Sequence, residues 1–143
     1  MTDIFVVAVS GGRDYANKAF IATTLNKIHR DKAITLLVQG GCRRKRNGVW
    51  VGADWLAAEW AHEREVNCLT VEAKWQKYHR QGQKKNPAGP IRNSEIAALK
   101  PHLWVFFPGG DGTADAERLA IKAGIRTLKI TDSGVDEERN FAV

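Results

Sequence analysis

Three stretches of this 143-residue chain carry residues suited to holding an anion. Phe106-Phe107-Pro108-Gly109-Gly110-Asp111-Gly112-Thr113 joins an apolar run, Leu103 to Phe107, to a helical pattern from Ala114 to Ala123. Glycines at such a junction let the backbone turn sharply and approach a ligand closely. The first amides of the helix lack partners inside it and sit at the positive end of its dipole, which favours a phosphate. Pro108, Gly109, Gly110, Gly112 and the Thr113 hydroxyl are the expected contacts. Ser10-Gly11-Gly12-Arg13 repeats the arrangement after the run Ile4 to Val9. It is expected to hold a second phosphate, or a ribose and base edge, with Arg13 able to grip a phosphate through two hydrogen bonds. Gly40-Gly41 closes a third apolar run, Ile34 to Val38.

Four further side chains belong with these turns. Asp54 opens a helix after Gly52-Ala53, where a carboxylate either caps the unpaired amides or meets a ligand. Arg92 and Asn93 follow Pro90, a residue suited to the first helical turn, and lie near enough to the same edge to reach a ligand. Asp115 either caps its helix or accepts a ribose hydroxyl.

The elements that must position these residues follow from hydrophobic periodicity. Ile4 to Val9, Ile34 to Val38, Asn67 to Val71, His102 to Phe107 and Arg126 to Ile130 read as strands, several apolar throughout as when both faces are covered. Helical spacing runs from Ala16 to His29, from Gly52 to Glu65, from Pro90 to Leu99 and from Gly112 to Ala123, the last stopped by Gly124. Ala73 to Gly89 is a long loop, and loops of this length are usually functional or mobile. The pattern predicts an α/β fold with a doubly wound, mostly parallel five-stranded sheet and helices on both faces. One domain is expected over residues 1–143, with a basic insertion at 42–51 and a polar tail at 131–143. Right-handed crossovers bring the three glycine turns to one edge of the sheet, where open α/β sheets bind ligands.

The net charge of +6 is clustered: Arg43-Arg44-Lys45-Arg46 is one block, and Lys74, Lys77, Arg80, Lys84, Lys85 and Arg92 are another. Clustered bases attract phosphorylated ligands or polyanions. Asn47-Gly48 favours a tight hairpin in the first block. That hairpin is read as a lid over a polyphosphate, a nucleic-acid contact, an oligomer arm, or a loop with no ligand role. Trp75 is read as either a base-stacking ring or a side chain packed under its loop. Trp55 and Trp60 are five apart and cannot share a helix face, so one of them is a candidate for a homo-oligomer interface. Two cysteines, Cys42 and Cys68, make no disulfide framework and are read as ordinary thiols. The four histidines lack zinc-ligand spacing. No metal or other cofactor is therefore expected beyond a Mg²⁺ brought by the ligand. The sequence shows no basic leader and no run of about 20 apolar residues, so a cytoplasmic protein without membrane contact is expected.

Four blocks together resemble the SLOG (Smf/DprA–LOG) superfamily, most of all its YspA-type branch. They are Val9-Ser10-Gly11-Gly12-Arg13-Asp14-Tyr15; Gly52-Ala53-Asp54 with Leu56-Ala57-Ala58-Glu59-Trp60-Ala61; Ala88-Gly89-Pro90-Ile91-Arg92-Asn93 with Trp75 upstream; and Phe107 to Asp115. The resemblance implies a Rossmann-like fold that binds nucleotides or nucleotide-derived molecules. It also implies relatives among phosphoribohydrolases, which cleave a nucleoside monophosphate with an Arg and a Glu. Arg92 stands at the position of that Arg. The Glu position, three residues after Thr113, is Ala116, flanked by Asp115 and Glu117. Adjacent helical residues point about 100° apart, so neither flanking acid simply replaces it.

The leading functional expectation is binding of an ADP-ribose-like or cyclic nucleotide ligand, for sensing or sequestration. One alternative is an N-glycoside hydrolase using Arg92 with Asp115 or Glu117. The other is a nucleic-acid-binding module using the basic loops with Trp50 and Trp75.

Overall fold

The computed structural model describes residues 3–82, 85–131 and 134–140. Its elements in chain order are β1 (Val6–Ser10), α1 (Lys18–Asp31), β2 (Leu36–Gln39), β3 (Arg44–Arg46), β4 (Val49–Val51), α2 (Ala53–Glu63) and β5 (Cys68–Thr70). They continue with α3 (Ala88–Ala98), β6 (Leu103–Phe106), α4 (Asp111–Lys122), β7 (Arg126–Thr131) and β8 (Gly134–Arg139). The fold is mixed α/β, with a mostly parallel central sheet of six strands in the order β5-β2-β1-β6-β7-β8. The five expected strands are parallel neighbours in this sheet. The sixth corrects the expectation of a polar tail after residue 131. β8 turns back and pairs antiparallel with β7, from Thr131↔Gly134 to Thr127↔Arg139.

The continuous apolar strands serve two cores because successive side chains alternate between the faces. Val7 and Val9 join Leu103 and Val105 in a cluster with Ile21 and Leu25 of α1 and Leu56 and Trp60 of α2. Ala8 joins Val38, Trp104 and Phe106 in a second cluster, under Ile96 of α3 and Ala116 and Ala120 of α4. α1 starts where Asn17 accepts the Phe20 amide at 3.0 Å, a side-chain cap on an otherwise unpaired donor. α4 ends before Gly124, whose φ of +76° is the left-handed conformation that glycine adopts without strain. No helix among the described residues is long and apolar enough to cross a membrane.

β1 is the switch point. The chain builds outward from it through β2 to β5, then returns to its other side as β6. The loops leaving β1 and β6 therefore diverge at the same edge of the sheet, and a crevice opens between them.

The basic insertion folds as the hairpin β3–β4, and Asn47 and Gly48 both take positive φ, 50° and 78°. These angles suit the two-residue turn whose twist matches paired strands. The hairpin is anchored by Arg43, which lies 4.1 Å from the Trp50 ring and 5.0 Å from Trp55, and by an Arg44–Asp14 ion pair at 2.9 Å. This clarifies the tryptophans. Trp60 is buried and donates to Asn26 at 2.9 Å, while Trp55 is half-buried against Trp50. Trp60 is thus committed to the core, and Trp55 is the more open of the two. Trp50 is covered by Arg43 and approached by Lys45, so it is not a free stacking platform.

Candidate ligand-binding site

Hydrogen bonds stitch the turns together at the switch point. Gly12 donates its amide to Pro108 O at 2.8 Å, Phe107 donates to Ser10 O at 2.9 Å, and Ala53 donates to Gly12 O at 3.1 Å. A Cβ at Gly12 would come within 2.9 Å of the Pro108 carbonyl oxygen, so the two backbones can approach only without a side chain there. Above this junction lies a cavity of about 310 Å³, at the small end of the range for small-molecule sites. Residues of all three glycine turns line it, together with the first turns of α3 and α4.

The α4 end of the cavity is bare. Extra Cβ atoms at Gly110 and Gly112 would meet nothing within 4 Å, and neither residue needs a positive φ. Packing within the chain therefore does not explain these glycines. What they do is leave the first amides of α4 uncovered beside Thr113. Those amides have no partner within the helix and lie at its positive end. Gly112→Ala follows as a test. The methyl group should stabilise the helix by about 0.5–1 kcal/mol, yet weaken binding of a phosphorylated ligand. A variant that melts higher and binds as before would mean that the bare helix end has no ligand role.

At the floor of the cavity, Arg92 is 9% exposed. Its Nη1 donates to Gly40 O at 2.9 Å, its Nε donates to Asn93 Oδ1 at 3.0 Å, and both Nη atoms lie 3.6 Å from Cys42 Sγ. A Cβ at Gly40 would meet the guanidinium of Arg92 and lie 3.1 Å from Asp54 Oδ2. The Gly40–Cys42 loop therefore runs between the two charged side chains. Asp54 is 4% exposed, and its Oδ2 accepts the Cys42 amide at 3.1 Å. Its Oδ1 is buried without a partner. Burial raises the Asp54 carboxyl from 3.8 to about 6, and the Cys42 amide and the Arg92 charge only partly offset this. α2 itself begins at Gly52 with no side-chain cap, so Asp54 faces the loop and is not capping the helix.

Asn93 orients the third wall. Its Nδ2 donates to Gly112 O at 3.2 Å and to Asp115 Oδ2 at 3.1 Å, tying α3 to the first turn of α4. Ser10 Oγ accepts the Trp104 indole N–H at 2.9 Å, which leaves the hydroxyl proton available to a ligand. Arg13 is exposed at the cavity mouth and makes no hydrogen bond or ion pair among the described residues.

The structure thus gathers Ser10, Gly11, Gly12, Arg13, Gly40, Asp54, Arg92, Asn93, Gly110, Gly112 and Thr113 around one cavity. Gly41 lines an adjoining groove instead. Pro108 and Gly109 support the junction from behind, through the Gly12 amide and beside Thr113. Asp115 touches the site through Asn93 and is also paired with Arg118 at 3.2 Å. Glu117 is not brought to the cavity; it lies 3.8 Å from Lys129 of β7. Ala116 is buried in the second core, where a carboxylate would not be tolerated unpaired. Cys42 and Arg44 also line the cavity, and no local pattern marks them for it. Cys42 arrives because the hairpin starts there, next to the arginine.

A mostly parallel sheet switching at β1, with glycine turns and helix N-termini meeting above the switch, defines a Rossmann-like fold. The profile of the YspA, cpYpsA-related SLOG family matches residues 5–78, just over half of the chain. The chain belongs to that family. The matched segment runs from β1 past Trp75 and stops before α3 and the Pro108 to Thr113 turn. No curated protein matches the chain.

Proposed function

We propose that this protein binds a nucleotide-derived, phosphorylated small molecule at the carboxyl edge of its sheet, and acts by sensing or sequestering it. The observation that carries this reading is the bare first turn of α4, which faces a cavity with the uncommitted Arg13 at its mouth. Backbone amides and a guanidinium lining one cavity suit a phosphate or diphosphate. Ser10, whose hydroxyl proton is free, supplies a neutral polar group to the same cavity, as a ribose requires.

The placement of the acids favours binding over hydrolysis. Ala116 occupies the expected catalytic position, Glu117 pairs with Lys129, and Asp115 is held by Asn93 and Arg118. Neither acid of the hydrolase pattern is therefore free to position water or support oxocarbenium-like charge, as glycoside cleavage by that pattern requires. Isothermal titration with AMP, ADP-ribose, cyclic AMP and cyclic ADP-ribose, with and without Mg²⁺, is expected to give a saturable isotherm for at least one of them. A flat response to all four would overturn the reading. Chromatography after long incubation is expected to show no free base above the blank, and base release would make the protein a hydrolase instead.

A further inference from the structure

Trp75 is the one large aromatic side chain among the described residues left substantially open, at 41% exposure, and it lines the same cavity as the α4 turn. The other four tryptophans are committed. Trp60 and Trp104 are buried, while Trp50 and Trp55 pack on each other beneath Arg43.

The position of Trp75 is built by its neighbours. Asn86 donates through Nδ2 to the Trp75 carbonyl at 2.9 Å and accepts through Oδ1 from the Ala88 amide at 2.9 Å. One side chain therefore fastens the loop to the start of α3. The indole then stands against Gly89, where a Cβ would lie only 3.1 Å from the ring atom Cη2. A glycine at that helical position gives up helix stability relative to alanine, and here it makes room for the ring. An aromatic ring held at a cavity rim, with much of its surface uncovered, is suited to stacking a flat heterocycle.

We propose that Trp75 stacks the base of a nucleotide whose phosphate lies at the N-terminus of α4, so that Trp75 discriminates nucleotides from phosphorylated sugars. This rests on the phosphate-binding reading above and adds the base to it.

The test uses AMP and ribose 5-phosphate as probes. The unaltered protein is expected to prefer AMP by about 10-fold, the low-to-middle range for one stacked base. AMP should quench its tryptophan fluorescence, and ribose 5-phosphate should not. Trp75→Ala should bring the AMP preference towards unity. Trp75→Phe should keep most of the preference while abolishing the quench. Gly89→Ala should also narrow the preference by pushing the indole aside, and adding Trp75→Phe to it should restore part, because the smaller ring fits beside the new methyl group. Equal affinities for the two probes in the unaltered protein would overturn the proposal and leave the phosphate reading standing. So would a Trp75→Ala variant that loses affinity for both by the same factor. Failure of both probes to bind would overturn the phosphate reading and this proposal with it.

Discussion

Arg92→Ala is expected to abolish nucleotide binding and to lower the unfolding free energy by about 3 kcal/mol, the low end for removing one member of a buried charged cluster. The guanidinium serves Gly40 O, Asn93 Oδ1 and Cys42 Sγ at once. Alanine leaves a buried carbonyl without its donor and removes the cation beside Asp54. The loss stays near the low end because Asp54, already raised to about 6, can take up a proton when that charge is gone. For a chain of this size the melting temperature should fall by roughly 10 °C. Arg92→Lys separates charge from shape: an ammonium keeps the cation but cannot make the forked contacts. It should recover part of the stability while nucleotide affinity stays low. Thermal denaturation and titration calorimetry read both quantities. An Arg92→Ala variant that melts and binds as the unaltered protein does would refute the assigned role.

The second large effect is a pH dependence centred on Asp54. Its carboxyl is raised from 3.8 to about 6 in the folded chain, so the folded state holds a proton that the unfolded state has already released. The sign follows from linkage: the folded state binds more protons across this interval, so stability falls as pH rises. The protonated group's contribution is fully present below about pH 4 and is lost as pH passes through about 6. The difference amounts to about 3 kcal/mol. Asp54→Asn cannot titrate, so its stability relative to the unaltered protein should climb over that interval and level off above it. The slope is the clean observable, because a buried amide brings donors of its own whose cost shifts the whole curve. Denaturant titrations at half-unit steps from pH 4 to 7.5 measure it. Parallel curves for the two proteins would show that Asp54 ionises as an ordinary surface acid.

Much of this architecture is legible without coordinates, for local reasons. Val7 to Val9 and Leu103 to Phe106 are apolar on both faces, and that alone calls for helices above and below a parallel sheet. Asn47-Gly48 dictates its own turn through the left-handed conformations both residues accept. The strand-to-helix glycine turns mark the ligand edge because a chain that alternates strand and helix with one handedness must place them together.

Other features had no local signal. β8 escapes notice because Gly134-Val135-Asp136-Glu137-Glu138-Arg139 has a single apolar residue, and an edge strand needs only a partner backbone to pair with. Asp54 reads equally well as a cap or a contact until the Gly40–Cys42 loop is seen to cover it. Asp115 and Glu117 are only two residues apart in the chain, yet one is committed to Asn93 and the other to Lys129.

The sequence by itself determined the strand and helix pattern, the hairpin and the edge at which the glycine turns meet, since each depends on a window of neighbouring residues. The tertiary structure decided which side chains face the cavity. Arg92 meets Gly40 across 52 residues and Ser10 meets Trp104 across 94, and contacts at that range depend on how whole elements pack.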